Sequence, residues 1–415
     1  MRVLMLSWEY PPKSVGGLAQ HVYDLTNTLA ESGVEVHLIT CGAPGVQEYE
    51  NVRSVQVYRV NPYNISAMDF VTWATQLNVA MLERAMPLIL EKGDFSIIHA
   101  HDWLTVYAAR ALKHGFHIPL VATIHATEHG RNYGLHNDTQ RHISDLEWWL
   151  GYEAWKVICC SKYMRDEIRR VFQIPEDKLV VIPNGVNPDN YVQKQPGLSR
   201  DDFASPDEKI VFYVGRLVRE KGVQVLLDAV RHILTYHPKT KFVIAGKGPY
   251  DKNLREQAVM LGVSQSVYFT GYVNDQVRNS LYSWADVAVF PSLYEPFGIV
   301  ALEAMAANTP VVIADTGGLS EIIEHGKDGL KSYVGNPTSL ADMILRLLHE
   351  PQLGNYLRQN AGRKIRQEYN RQQIARQTRD IYRHVVSAHR NTMWDPVERR
   401  SHLFNRVSRL LARNA

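Results

Sequence analysis

Short apolar runs that alternate with helical segments constrain the fold of this 415-residue chain more than any other feature. In the first half, the runs predict strands at residues 2–7, 34–40, 55–60, 96–100, 120–124 and 156–161. Strands that alternate with helices are typical of a parallel sheet covered by helices. The same alternation resumes at Lys209. The sequence therefore predicts an α/β fold with two doubly wound sheets.

A polar segment with three prolines separates the two alternating series. Its composition is typical of a linker, and the length of the chain favours two or three domains. We predict an N-terminal domain at 1–187, a linker at 188–208, a C-terminal domain at 209–365, a C-terminal helix at 366–390 and a basic amphipathic tail at 391–415. Such a tail can bind an anionic membrane or a partner, but packing on its own domain is favoured.

The composition excludes several classes of protein. Forty-six basic and 43 acidic residues give a net charge of only +3, so nothing calls for nucleic acid as a partner. Three cysteines do not make a disulfide framework and favour a reducing compartment. Residues 1–12 form a poor signal peptide, because their apolar run is short and broken by Glu9. We expect a cytoplasmic protein, and the oligomeric state stays open.

The stretch from Ala285 to Glu303 joins a buried strand, an irregular loop and the start of a helix. Its continuous apolar beginning is typical of a parallel strand covered on both faces. Glu295 lies on the loop and Glu303 near the helix start. First-turn amides lack partners within a helix and favour an anion. We therefore expect a phosphate group to face the amides of Gly298, Ile299 and Val300.

Two other loops after strands are candidates for a phosphate site. Gly16 and Gly17 follow the first predicted strand, and glycines let the backbone approach a ligand closely. A tight turn without a ligand is the alternative. In the second series, Arg216 and Lys221 share a loop where a guanidinium and an ammonium can converge on a diphosphate. The turn at Gly246 and Lys247 is expected beside the nucleoside.

Histidines gather at two predicted strand ends, within HAHDW at 99–103 and HATEH at 125–129. In a parallel α/β sheet, ligands bind beyond the carboxyl ends of the strands. A metal site made of His99, His101 and His129 is one interpretation, since alternate residues of a strand share a face. No cysteine or carboxylate set at ligand spacing completes it, so we predict no metal.

These segments resemble one enzyme family. The pair Glu295-x7-Glu303 lies within EPFGIVALEAMA and is followed by ADTGGLSEII. Both are similar to segments of the retaining nucleotide-sugar glycosyltransferases of family 4, which include glycogen and starch synthases. HAHDW and TIHATEHG resemble the sugar-binding segments of glycogen synthases. The resemblance covers nearly all of residues 1–385. It implies the GT-B fold, in which two Rossmann-like domains face a cleft and the last helix crosses back to the N-terminal domain.

The resemblance also implies a reaction. A hexosyl group, with glucosyl favoured, moves from ADP-glucose or UDP-glucose to a glycan acceptor, and the configuration at the anomeric carbon is retained. An α-1,4-glucan is the favoured acceptor, and a small or cell-envelope acceptor is the alternative. Neither a metal nor another cofactor is implied. The departing phosphate itself can take the proton of the acceptor.

Individual roles follow from the resemblance as well. Asp102 would accept hydrogen bonds from sugar hydroxyls, and His125 would lie beside the anomeric carbon. Arg216 and Lys221 would neutralise the donor diphosphate. The remaining contacts assigned to the donor are sugar hydroxyls for Glu295, ribose hydroxyls for Glu303 and the base for Tyr272.

The polar segment 127–149 is predicted to be a loop that binds the acceptor, because it is rich in hydrogen-bonding groups. Trp148 and Trp149 could stack on a glycan, but core positions are favoured. Two other classes of protein stay open. A nucleotide-sugar epimerase would turn over donor without an acceptor, and a sugar-nucleotide sensor would bind donor and transfer nothing.

Overall fold

A computed structural model describes residues 1–63, 65–191, 196–392 and 394. The described residues form two sheets, one of eight and one of six strands. Within these ranges, no helix is both long and apolar enough to cross a lipid bilayer. The predicted tail at 391–415 lies almost wholly outside the described residues.

The first sheet and its helices occupy the N-terminal half. Its strands are β1 Arg2–Ser7, β2 Glu35–Cys41, β3 Tyr49–Val52, β4 Val55–Val60, β5 Phe95–His101, β6 Leu120–Ile124, β7 Lys156–Cys159 and β8 Leu179–Val181. Its helices are α1 Gly17–Glu31, α2 Phe70–Lys92, α3 Val106–Phe116, α4 Glu128–Asn132, α5 Asp138–Glu153 and α6 Lys162–Phe172. The core strands are buried on both faces, which explains their uninterrupted apolar sequences.

The strand order of this sheet is β3-β4-β2-β1-β5-β6-β7-β8. The pairings are parallel except for β3 with β4, which form an antiparallel pair at the edge. From β1 the chain first builds outward through β2, and it then returns to the other side of β1 with β5. The order therefore reverses between β1 and β5, where a crevice opens at the carboxyl ends of the strands.

The second sheet repeats this design. Its strands are β9 Lys209–Val214, β10 Thr240–Ala245, β11 Val267–Gly271, β12 Val287–Phe290, β13 Val311–Ala314 and β14 Leu330–Ser332. Its helices are α7 Val223–Tyr236, α8 Asp251–Met260, α9 Asp275–Trp284, α10 Ile299–Ala306, α11 Gly317–Ile322, α12 Pro337–His349 and α13 Pro351–Glu368, followed by α14 Arg371–Arg390. The order β11-β10-β9-β12-β13-β14 is parallel and reverses between β9 and β12.

The C-terminal helix predicted at 366–390 corresponds to α14, which begins only at Arg371 because α13 extends to Glu368. Helix α13 ends at Glu368, and the side chain of Asn370 accepts a hydrogen bond from Gln373 N at the start of α14. Asparagine is a preferred N-cap, so the break has a local cause. Helix α14 then packs on the N-terminal half, where the Tyr382 hydroxyl lies 2.6 Å from His99 Nδ1.

The prediction of a loop at 127–149 is wrong, because most of this segment is helical. Helix α4 begins after Thr127, whose hydroxyl accepts a hydrogen bond from Gly130 N, and α5 begins after Asn137 in the same way. These two caps explain how polar residues start helices. Trp149 packs on the core as predicted, whereas Trp148 is 43% exposed and stacks on Tyr152.

Candidate active site

The two points of strand reversal bring most of the predicted site residues to the carboxyl ends of four strands. In the N-terminal sheet, Gly16 and Gly17 follow β1, and Asp102 follows β5. In the C-terminal sheet, Arg216 follows β9 and Glu295 follows β12. Both sets therefore lie where α/β sheets bind their ligands.

Helices α1 and α10 begin next to each other, although they belong to different sheets. A Cβ atom placed on Gly17 would lie only 2.9 Å from Ile299 Cδ1, so the absence of a side chain at Gly17 lets Ile299 approach closely. No described side chain caps either helix at Gly16 or Gly298. Two helix N-termini thus direct their partial positive charge toward one place, which suits a phosphate group.

Glu9 is a buried residue of this region that the sequence analysis did not propose. Its carboxylate accepts hydrogen bonds from Val15 N at 2.7 Å and Gly16 N at 3.1 Å, which fixes the loop before α1. Burial raises the pKa of Glu9, and Arg216 of the other sheet lowers it in part. A carboxylate directly after the first strand and before a glycine pair was the available signal.

The loop after β9 carries the two predicted cations. Lys221 Nζ lies 2.7 Å from Glu295 Oε2, which also accepts a hydrogen bond from the Ser292 hydroxyl at 3.0 Å. The Arg216 side chain is 39% exposed and lies 3.5 Å from Glu220. The structure therefore brings Lys221 and Glu295 together, and the guanidinium of Arg216 keeps room for another partner.

Asp102 has an unusual backbone conformation and a raised pKa. Its φ angle of +58° is rare for a residue with a Cβ atom, and such strain clusters at functional sites. Its carboxylate accepts a hydrogen bond from His125 N at 2.8 Å. Burial raises the pKa of Asp102 to about 6, although the His125 amide and Arg131 act in the opposite direction.

The proposed metal set of His99, His101 and His129 is not the one that the fold assembles. His99 is held by Tyr382 and by the Thr123 hydroxyl at 2.8 Å. Among the described residues, the set that could hold a metal ion consists of His21, His101 and His125, whose ligand atoms lie within 4.8 Å of one another. His21 was not predicted to belong to this set, because it reaches the strand ends from α1, an element far away in sequence.

Burial keeps these imidazoles uncharged. It lowers the pKa of His125 to about 3, with Arg131 adding to the effect, and it lowers the pKa values of His21 and His101 well below their usual range. His101 Nδ1 lies 3.1 Å from His125 Nε2, so one of these nitrogens donates to the other. This part of the site is therefore lined by uncharged rings near neutral pH.

Glu303 has different partners from Glu295. Its carboxylate accepts a hydrogen bond from the Tyr282 hydroxyl at 3.1 Å, and Arg278 lies 3.6 Å away. Burial raises the pKa of Glu303, and the cationic Arg278 counteracts this rise. Arg278, which stacks over the Tyr191 ring at 5.6 Å, is a further residue that the sequence analysis missed.

The residues predicted to contact the nucleoside lie at the ends of β10 and β11. Gly246 N donates to Gly271 O at 2.8 Å, and a Cβ atom on Gly246 would collide with Gly215 O. Lys247 is exposed, and Tyr272 is 60% exposed. The Tyr272 ring and the Lys247 ammonium group are therefore accessible to a ligand at this edge of the second sheet.

Polar contacts hold the two halves against each other beside the site. Ser161 Oγ donates to Pro296 O at 2.7 Å, next to the loop that carries Glu295. The Glu321 carboxylate accepts hydrogen bonds from Lys162 N at 3.0 Å and Tyr163 N at 2.7 Å, so it caps α6 from the other half. The described site is in a closed arrangement.

Comparison with known proteins assigns the chain to a family. The family model for Glycosyltransferase Family 4 matches residues 15–190, and that for Glycosyl transferases group 1 matches residues 198–364. A glycogen synthase of Mycobacterium tuberculosis is 34% identical over 397 residues, which cover 92% of this chain and 94% of that protein. The chain belongs to the family 4 glycosyltransferases.

Two further similarities concern this glycosyltransferase as a whole. An uncharacterized glycosyltransferase of Methanocaldococcus jannaschii is 41% identical over 388 residues, covering 92% of this chain and 98% of the relative. The sucrose-phosphate synthase of Thermosynechococcus elongatus has a TM-score of 0.82 at 24% identity, covering 94% and 100% of the two chains. This likeness in fold confirms the predicted GT-B class, with two doubly wound α/β domains.

The site of this glycosyltransferase contains two groups of residues that differ in their chemistry. Helix starts and the cations Arg216 and Lys221 can stabilise negative charge on a leaving phosphate. Asp102 and the neutral imidazoles offer hydrogen bonds to uncharged hydroxyl groups. A molecule that joins a sugar to a diphosphate has both parts.

Proposed function

We propose that this glycosyltransferase moves a glucosyl group from ADP-glucose or UDP-glucose to an α-1,4-glucan, with retention at the anomeric carbon. The observation that carries the proposal is the placement of an exposed cation, Arg216, and two uncapped helix starts opposite the Asp102 carboxylate and a cluster of imidazoles. The glycogen synthase relative supports the choice of glucan.

Breaking the bond between sugar and phosphate places negative charge on the diphosphate. Arg216, Lys221 and the amides near Gly17 and Ile299 would stabilise that charge without a metal ion, because cations and helix N-termini act in the same direction. Lys221 now contacts Glu295, and it would exchange this contact for the phosphate when donor binds.

The sugar would lie between Asp102, His125 and Glu295. Asp102 would accept hydrogen bonds from its hydroxyls, and His125 would stay uncharged beside the anomeric carbon. Glu295 would orient the donor from the opposite side. The leaving phosphate would take the proton of the acceptor on the same face, which gives retention. Closure over the cleft would limit hydrolysis of the donor.

Glu303, Lys247 and Tyr272 complete the proposed donor site at the nucleoside end. Glu303 would reach the ribose hydroxyls only after a change in its contact with Tyr282 or Arg278. Tyr272 and Lys247 are exposed and could contact the base.

The test is product formation from ADP-glucose and UDP-glucose, each with glycogen, maltooligosaccharides and small sugar acceptors. We expect glucan elongation with α-configured products, unchanged by EDTA. Donor turnover without any acceptor would favour an epimerase, and donor binding without turnover would favour a sensor. Transfer to a small acceptor alone would contradict the glucan and leave the reaction type intact.

A further inference from the structure

Three imidazole rings from three different elements converge at the sugar side of the cleft. His21 comes from α1, His101 ends β5, and His125 follows β6. One ring nitrogen of each lies within 4.8 Å of the others. The ring centroids are 5.0 Å apart for His21 and His125 and 5.4 Å apart for His101 and His125.

This spacing is close to what a tetrahedral metal centre needs. Zinc binds histidine nitrogen at about 2.0–2.1 Å, so two such ligands stand roughly 3.4 Å apart. His101 Nδ1 and His125 Nε2 are already 3.1 Å apart. Because the three ligand atoms lie within 4.8 Å of one another, a shift of His21 by about 1.4 Å or less would bring the third nitrogen to this spacing.

The hydrogen bonding of the cluster is incomplete. His101 Nδ1 faces His125 Nε2, whereas His101 Nε2 is buried and finds no partner among the described residues. The ring proton of His101 can therefore reside on Nε2 when Nδ1 binds a metal. The neighbouring His99 cannot substitute as a ligand without loss, because both of its ring nitrogens are engaged by Tyr382 and Thr123.

Each ring can also offer a ligand atom, because a histidine coordinates a metal through an unprotonated ring nitrogen. Charged groups of both signs lie beside the cluster. The Asp102 carboxylate accepts a hydrogen bond from His125 N at 2.8 Å, and Arg131 lies near enough to interact with both residues.

We propose that His21, His101 and His125 form a binding site for a zinc-class divalent ion, with the fourth position open, and that the bound ion inhibits donor binding. The inhibition rests on the proposed function, since it requires the donor sugar to lie against His125. The ion would occupy the space of the sugar and turn His125 away from it. Metal binding itself does not depend on the reaction.

The first experiment measures binding without turnover. Metal-free protein, prepared with chelator, is titrated with Co²⁺, whose absorption reports tetrahedral coordination, and then with Zn²⁺ as competitor. We expect one Co²⁺ per chain, displaced by Zn²⁺. In His21→Ala and His101→Ala, affinity should fall by more than about 100-fold, since even loss of a group that only supports a ligand costs 10–100-fold.

His384→Ala is the matched control, because His384 is exposed on α14 and should keep wild-type affinity. His21→Gln keeps a polar side chain but removes the imidazole ligand, so it should lose metal affinity with less disturbance of the fold than His21→Ala. Thermal unfolding of each variant without metal measures its stability. Wild-type protein without stoichiometric Co²⁺, or equal loss in His384→Ala and His21→Gln, would overturn the site.

The second experiment tests inhibition. Zn²⁺ should raise the KM for the nucleotide sugar at least tenfold with little change in kcat, and EDTA should restore it. His21→Gln should resist this inhibition. Stoichiometric binding with an unchanged KM would refute the inhibitory role while leaving the metal site. Absence of any transferase activity would count against the proposed function and not against the site.

Discussion

The two faces of the cleft differ in the burial of their ionisable groups. The N-terminal face comprises Asp102 and the imidazoles of His21, His101 and His125, and the C-terminal face comprises Arg216 and Lys221. On the N-terminal face, Asp102 and the imidazoles are buried, and their pKa values move toward the uncharged forms. On the C-terminal face, Arg216 and Lys221 lie at partly exposed positions, and each has a carboxylate partner. The difference is one of burial, because desolvation disfavours a charged group unless a partner compensates it.

This difference in burial indicates which part of a nucleotide-sugar donor each face could bind. Uncharged imidazoles can exchange hydrogen bonds with sugar hydroxyls at little cost in desolvated charge, whereas a solvent-accessible cationic loop can bind a diphosphate without trapping an unpaired charge. Covering the loop with a closing domain then strengthens its field. Each face is incomplete alone, which explains why the helix starts of both domains meet at Gly17 and Ile299.

The largest predicted effect comes from removing charge on the C-terminal face. Arg216→Ala or Lys221→Ala should lower kcat/KM by about 100-fold or more, as loss of one donor to a developing charge does in other enzymes. Steady-state kinetics with a fixed acceptor would measure the change. Arg219→Ala is the matched control, because Arg219 is an exposed cation of the same loop. Near-normal rates in both test variants would remove the proposed phosphate site.

The next prediction concerns Asp102 on the N-terminal face, where one substitution should lower activity and raise stability. Asp102→Asn should lower activity by about 10–100-fold, because charge-assisted hydrogen bonds to the sugar are lost. The same change should raise the free energy of unfolding at pH 7. The rise in pKa from 3.8 to about 6 means that the ionised form is destabilised by an amount on the order of 1–3 kcal/mol.

The sign follows from proton binding. Between pH 4 and 6 the folded protein binds the Asp102 proton more tightly than the unfolded chain, so its contribution to stability declines as pH rises through this range. Asparagine keeps an acceptor for His125 N and carries no charge. Denaturant unfolding at pH 5 and pH 7 would measure the difference. Destabilisation of Asp102→Asn at pH 7 would refute this interpretation of the buried face.

The sequence was sufficient for the fold class and for the strands of the core. Residues 2–7 and 120–124 were predicted with the bounds that the structure gives, because strands buried on both faces have continuous apolar sequences. Polar helices were harder. Helices α4 and α5 were predicted as a loop, since their starts depend on the short-range caps Thr127 and Asn137 and their packing on distant residues.

The site residues also include some that the sequence could predict and others that it could not. Asp102 and Arg216 follow predicted strands, so the topology alone brings them to the cleft. The cluster of His21 with His101 and His125 depends on the rotation of α1 against the sheet, which no local pattern specifies. The domain boundaries and the roles of the site residues stay predictions.

The third prediction concerns the pH dependence of kcat/KM, to which Asp102 and the imidazoles should contribute differently. The value of kcat/KM for the donor should fall about tenfold per pH unit below pH 6, as Asp102 becomes protonated. The imidazoles should add no change between pH 5 and 8, because the pKa of His125 lies near 3. Asp24, whose pKa burial also raises to about 6, provides the control, and Asp24→Asn should keep the acidic limb. Loss of the limb in that variant would assign it to Asp24.

The smallest predicted effect lies where the two faces meet. Glu321 caps α6 across the domain boundary, so Glu321→Gln removes a negative charge from a helix N-terminus and should weaken closure by about 0.5–1 kcal/mol. The KM for donor should rise about two- to fivefold, with kcat nearly unchanged, and small-angle scattering should detect a larger radius of gyration in the absence of donor. Glu324→Gln is the control, because Glu324 pairs only with Lys327 among the described charged groups within ion-pair distance. If both variants behaved alike, closure would depend on the apolar contacts around Phe297 and Cys160.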